Sequence, residues 1–164
     1  CVIIEIVFLY TKNCILDETS LFKNENLKIL IQPICLDYRN SFNPLIREVQ
    51  VINFCFQLLS LPKIDPDVEL ISIIFNLIFK PTLEMIKPNF EDYPDIRKAF
   101  FSLLEKLIRN FFFFIFKLEK DPIQSEISFE LIIHSIIWGI KHPDTTICNQ
   151  NLEICFFLLN SIEK

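Results

Sequence analysis

One glycine among 164 residues is the feature that most constrains this chain. Glycine supplies the positive-φ positions that tight hairpins and bulges use, so a chain almost without it has few ways to turn back sharply between strands. Between its breaks, Leu, Ile, Phe, Lys and Glu recur at helical spacing, and the apolar-polar alternation of a half-buried strand is absent. The sequence therefore predicts an all-α fold. Many of its apolar residues are Ile and Phe, which form helices less readily than Leu or Ala, so packing rather than propensity must hold the helices.

Clusters of Pro, Asn, Asp and Ser divide the chain into about seven helices, over 1–13, 22–40, 44–61, 66–87, 94–112, 127–142 and 144–162. The clearest stops are Asn43-Pro44, the run from Leu61 to Pro66, Tyr93-Pro94 and His142-Pro143. Pro44, Pro66, Pro94 and Pro143 each fall where a first helical turn tolerates a missing N–H. Pro81 lies inside the fourth helix and Pro88 near its end, which predicts a bend or a break. The pairs 22–61, 66–112 and 127–162 recur at about 45–60 residues, near the period of HEAT-type helix pairs, with 1–13 trailing a preceding repeat.

The predicted helix 94–112 shows why stacking is expected. Ala99, Phe100, Phe101, Leu103, Leu104, Leu107 and Ile108 cover more than half its circumference, and Lys98, Ser102, Glu105, Lys106 and Arg109 share the rest. A helix at the edge of one small core needs a narrower apolar stripe, whereas a helix sandwiched between successive repeats of a solenoid needs this wide one. Helix 127–142 repeats the pattern with Phe129, Leu131, Ile132, Ile133, Ile136 and Ile140. Ser135 and Gly139 fall on its buried side. Gly in a helix interior costs about 1 kcal/mol relative to Ala, so a close helix contact at Gly139 is the expected compensation, with Trp138 beside it.

Composition removes several functional classes. Hydrophobic residues make up 51% of the chain, more than disorder permits, yet no stretch reaches the roughly 20 uncharged apolar residues of a spanning helix. Phe111 to Phe116 ends at Lys117, and Leu131 to Ile140 is broken by His134. Membrane insertion is not expected. A net charge of −5 argues against a nucleic-acid surface. The chain opens on Cys1 with no leader pattern and reads as an internal fragment. Cys1, Cys14, Cys35, Cys55, Cys148 and Cys155 form no CxxC pair and sit within apolar helical patterns. They read as free thiols in a reducing compartment, not as metal ligands.

Chemistry-bearing groups are few. Glu91, Asp92 and Asp95 surround the Tyr93-Pro94 turn and lack the alternation of a calcium loop, so they read as a solvated connection anchored by Phe90 and Tyr93. His134 stands one turn from Glu130, a surface ion pair with no nucleophile motif or phosphate loop beside it. No catalytic site, metal site or cofactor is expected. Phe111 to Phe116 reads as the buried end of a helix rather than an exposed patch. Lys98, Lys106 and Arg109 share one face and are the candidates for meeting an acidic partner, although Glu105 and Arg109 also form an ordinary i, i+4 pair.

Three segments resemble the exportin-1 family of nuclear export receptors, in the karyopherin superfamily. In the first, Thr82-Leu83-Glu84-Met85-Ile86 leads to Phe90-Glu91-Asp92-Tyr93-Pro94, then Arg97 and Phe100-Phe101-Ser102-Leu103-Leu104. The second is Ser135-Ile136-Ile137-Trp138-Gly139-Ile140-Lys141-His142, with a small residue at the Gly139 position in the family, followed by Leu152 to Leu159. The third is Leu36-Asp37-Tyr38-Arg39-Asn40 with Arg47-Glu48-Val49 downstream. The resemblance covers about residues 22–164 and implies a superhelix of HEAT repeats. It further implies partnership with Ran-GTP, cargo proteins bearing leucine-rich export signals and nuclear pore proteins, and shuttling between nucleus and cytoplasm. The signal groove of such a receptor lies in preceding repeats, so none of these residues is assigned to it. A HEAT-like interaction scaffold unrelated to transport and a helical-bundle enzyme fragment are the alternative readings.

Overall fold

The computed structural model describes residues 4, 6, 7, 9, 24–41, 47–61, 68–89, 91–115 and 122–162. Among them every regular element is helical. They are α1 (Asn24–Asn40), α2 (Val49–Leu58), α3 (Val68–Ile74), α4 (Lys80–Ile86), α5 (Pro94–Ile115), α6 (Pro122–Ile140) and α7 (Thr145–Ile162). Ile4, Ile6, Val7 and Leu9 are also helical; the rest of the predicted first helix, with Cys1 and Cys14, lies outside the described residues.

Two layers result. One holds α1 beside the continuous rod of α3 and α4; the other stacks α2, α5 and α7 in that order, with α5 also bearing on the rod. Helix α6 packs on α7 and α5 and has at most slight contact with the rod. The class and the stacked arrangement agree with the all-α, solenoid-type expectation.

Pro81 does not break the helical run from Val68 to Ile86. Having no N–H, it cannot bond the carbonyl one turn back, and the chain accommodates this with a π turn over Phe75–Phe79. The Lys80 amide accordingly reaches five residues back, to Phe75 O. Immediately beyond, the Thr82 hydroxyl donates to Ile78 O (2.6 Å) and stands 2.8 Å from the buried Tyr38 hydroxyl. Arg47 closes the group, donating to Pro81 O (2.9 Å) and Arg39 O (3.3 Å) with its guanidinium over the Tyr38 ring. The ends of α1 and α4 are therefore pinned together through polar groups.

The core between layers is aromatic. Phe75 stacks on Phe79 and Phe79 on Phe100, each at 4.8 Å between centroids. Phe100 meets Phe101 edge-on at 5.3 Å, and Phe101 stacks on Trp138 at 5.5 Å. This file of rings joins the rod, α5 and α6, and such contacts contribute about 0.5–1.5 kcal/mol each beyond their burial. Cys35 and Cys55, both fully buried, contribute to the same core under α1 and α2 as free thiols. Burial and the neighbouring Cys35 push the Cys55 thiol well above its ordinary range, the contact with Cys35 being the larger cause.

Several boundaries differ from expectation. Helix α2 begins at Val49, with Arg47 and Glu48 extended or irregular before it, rather than at residue 44; Pro44 and Pro66 lie outside the described residues. Helix α5 continues to Ile115 across a non-helical Phe111 (φ −130°, ψ 17°). Helix α6 starts at Pro122, five residues before the predicted 127, because that proline takes the first helical position. Pro143 is not inside α7: Asp144 follows it and caps the helix, accepting the Thr146 N–H at 2.8 Å. Pro33 sits inside α1 on its exposed side, an interior proline the pattern did not foresee.

The wide apolar face of α5 is as expected, with Ala99, Phe100, Phe101, Leu103, Leu104, Leu107 and Ile108 all buried. That of α6 is narrower. Ile132, Ile136, Ser128, Ser135 and Gly139 are buried, but Phe129, Leu131, Ile133 and Ile140 are only half-buried, and Ile127 and Ile137 are exposed. Slight contact with the rod leaves that flank open. The phenylalanine run is likewise split: Phe111 and Phe112 are buried, Phe114 is half-buried, and Phe113 is 76% exposed, while Phe116 lies outside the described residues.

Candidate functional site

The three basic residues singled out on α5 differ in their surroundings. Lys98 and Arg109 are exposed and Lys106 is half-buried. Arg109 is committed within the fold: its Nε donates to Glu105 Oε1 (2.8 Å), Nη2 lies 3.6 Å from Glu153 of α7, and the guanidinium covers the Phe157 ring at 5.3 Å. Gln150 Nε2 donates to the other Glu105 oxygen (2.7 Å), completing a polar seam between α5 and α7. Beside the seam, Arg109, Leu152, Glu153, Phe156, Phe157, Asn160 and Ser161 line a groove of about 590 Å³. Lys98 stands near the α7 N-terminus, where its charge helps to hold Asp144 below the usual carboxylate range, after the larger effect of the Thr146 backbone N–H.

A second cluster was not foreseen. Arg97 of α5 is 2% exposed, and its Nη1 lies 3.1 Å from Nε2 of His142, which is 8% exposed at the end of α6. His142 Nδ1 accepts the Asp144 N–H (3.0 Å), and its ring meets Trp138 and Phe101 edge-on. Burial, reinforced by Arg97, holds His142 below its ordinary pKa, with Asp144 opposing. Burial also lowers Arg97, against the charges of Asp92 and Glu91. The one hint in the sequence was that Arg97 and His142 each belong to a segment of the family resemblance.

The acidic turn is solvated as expected, with Glu91, Asp92 and Asp95 exposed, Tyr93 half-buried and Phe90 outside the described residues. Tyr93 adopts φ 54°, a left-handed conformation that costs a non-glycine residue about 1–2 kcal/mol. His134 and Glu130 are both exposed but do not form the expected ion pair with each other. Both side chains are exposed, and an exposed pair of this kind contributes little. Among the described residues no group of three or more His, Cys, Asp or Glu is placed to hold a metal ion, and no helix is long and apolar enough to cross a membrane.

Comparison with known proteins gives the family of this chain. Residues 3–164 match the family described as CRM1 C terminal. The chain belongs to that family. Exportin-1 of Schizosaccharomyces pombe is 29% identical over 147 residues, covering 89% of this chain and 13% of that protein. Exportin-1 of Drosophila melanogaster is 28% identical over 148 residues, covering 90% and 13%. Protein EXPORTIN 1A of Arabidopsis thaliana is 35% identical over 91 residues, covering 56% and 8%. The chain thus spans 13% or less of each of these relatives. In this CRM1 C-terminal segment, the Tyr38–Thr82–Arg47 group and the Arg97–His142 pair fall within the three segments that carried the resemblance, and the π turn over Phe75–Phe79 lies just before the first of them.

Proposed function

We propose that this segment is a run of HEAT-like repeats in a nuclear export receptor, which carries proteins with leucine-rich signals out of the nucleus together with Ran-GTP and shuttles through the nuclear pore. The match of residues 3–164 to the CRM1 C-terminal family supports the reading. The segment acts as scaffold and spring, and the signal groove lies elsewhere in the parent protein. Each helix pair bears mainly on its neighbours, so small rotations between pairs add along the array and can couple distant ligand sites through curvature. Helix α6 has at most slight contact with the α3–α4 rod, so little packing opposes rotation between them.

Of the basic residues on α5, Lys98 and Lys106 are the ones left to meet an acidic partner, since Arg109 is held by Glu105, Glu153 and Phe157. The test is binding of an export-signal peptide to the complete receptor with and without Ran-GTP, beside the isolated chain. The complete receptor should bind the peptide more tightly with Ran-GTP, and the isolated chain should not bind it. Peptide binding by the isolated chain would refute the scaffold role.

A further inference from the structure

Arg97 is a cation in a place that disfavours one twice over. It is 2% exposed, and it stands at the N-terminal end of α5, where unpaired amides already present partial positive charge. Its Nε and Nη2 have no hydrogen-bond partner. These two atoms form the side-on edge of the guanidinium, the fork that holds a carboxylate through two parallel hydrogen bonds. The remaining contact, from Nη1 to His142, supplies little: a neutral imidazole has one acceptor nitrogen, and Nδ1 already spends it on the Asp144 N–H. A buried guanidinium whose Nε and Nη2 find no protein acceptor in this arrangement calls for a partner.

The carboxylates whose charge reaches Arg97 are Asp92, the stronger, and Glu91, both exposed on the turn between α4 and α5. An anion from solution is poorly placed to fill the fork, because Arg97 has almost no surface and Glu91, Asp92 and Asp95 repel anions from its neighbourhood. We infer that Asp92 docks side-on onto Nε and Nη2 of Arg97, closing the α4–α5 turn as a clasp over the junction of α5 with the α6–α7 corner. The strained Tyr93 lies between the two partners, and the clasp gives that strain a purpose. It fastens the α4–α5 turn to α5 at the point where Arg97 meets His142 of the following helix pair. The inference stands without the transport reading.

The experiment is carried out on the whole chain with Asp92→Asn, Glu91→Gln and Arg97→Met. Asp92→Asn should lower Tm by about 2–4 °C, Glu91→Gln should not, and Asp92→Asn should have no further effect in the Arg97→Met background. If Arg97→Met does not fold, NMR exchange of the Arg97 Nε–H decides: it should speed up on the order of tenfold in Asp92→Asn. Equal effects of the Asp92 and Glu91 substitutions, or an unchanged Arg97 exchange rate in Asp92→Asn, would overturn the clasp.

Discussion

Gly139 of α6 lies against the side chain of Asn151 on α7 so closely that a Cβ at position 139 would overlap the amide. Asn151 is fully buried and its Nδ2 donates to Ile147 O at 2.9 Å, while its Oδ1 has no partner. The amide cannot swing aside without giving up its bond. The one glycine of the chain is therefore a point of close approach between α6 and α7.

Gly139→Ala should destabilise the chain despite gaining up to about 1 kcal/mol of helix propensity, because it displaces the Asn151 amide. Adding Asn151→Ala should restore much of the loss, since it removes both the obstacle and a buried unsatisfied oxygen. Urea unfolding of the single and double variants measures this. Equal stability of wild type and Gly139→Ala would contradict it.

Thr82→Val should cost about 1–3 kcal/mol by stranding the buried Tyr38 hydroxyl, and Tyr38→Phe in the same chain should recover part of that. The comparison is again by urea midpoint. The two substitutions should be non-additive.

Acidification should destabilise the fold through His142. Its folded pKa is depressed, so the unfolded chain binds the proton more readily and the neutral ring's contribution is fully present above the unfolded value of about 6.5. That contribution falls as pH drops from there through the folded pKa, as protonation places a second cation beside Arg97 and removes the acceptor for the Asp144 N–H. Urea midpoints should fall between pH 7.5 and 5.5, and His142→Gln should flatten the change. The window lies above the range in which Asp144 titrates.

Phe100→Ala should cost about 3–5 kcal/mol, because Phe100 is fully buried in the file of rings between the layers. Phe113→Ala, further along the same helix but exposed, should stay within about 0.5 kcal/mol. Thermal unfolding of the pair distinguishes the two environments.

What could be foreseen depended on whether a residue's role is set along its own helix or across helices. The scarcity of glycine and the wide apolar face of α5 are one-dimensional facts, and both carried into the structure. The buried stripe of α6 was overdrawn because its width depends on a neighbour, the rod, that scarcely reaches it. At Pro81 the pattern shows a missing N–H but not the π turn that keeps the helical run continuous past it. Lys98, Lys106 and Arg109 were read together as a partner-facing set, yet Arg109's partners on α7 lie 44 and 48 residues further on and no periodicity announces them. Arg97 escaped notice for the same reason. A lone arginine beside an acidic turn looks solvated until His142 and Trp138 arrive from another helix.

The central claim is that these stacked helices transmit rather than bind. Its most direct test is the affinity of the complete receptor for an export-signal peptide, with and without Ran-GTP, in wild type and in Gly139→Leu, folding being checked by circular dichroism. The account predicts that both ligands still bind and that their mutual enhancement shrinks when the α6–α7 contact is forced apart. Undiminished enhancement in a correctly folded Gly139→Leu receptor would contradict it.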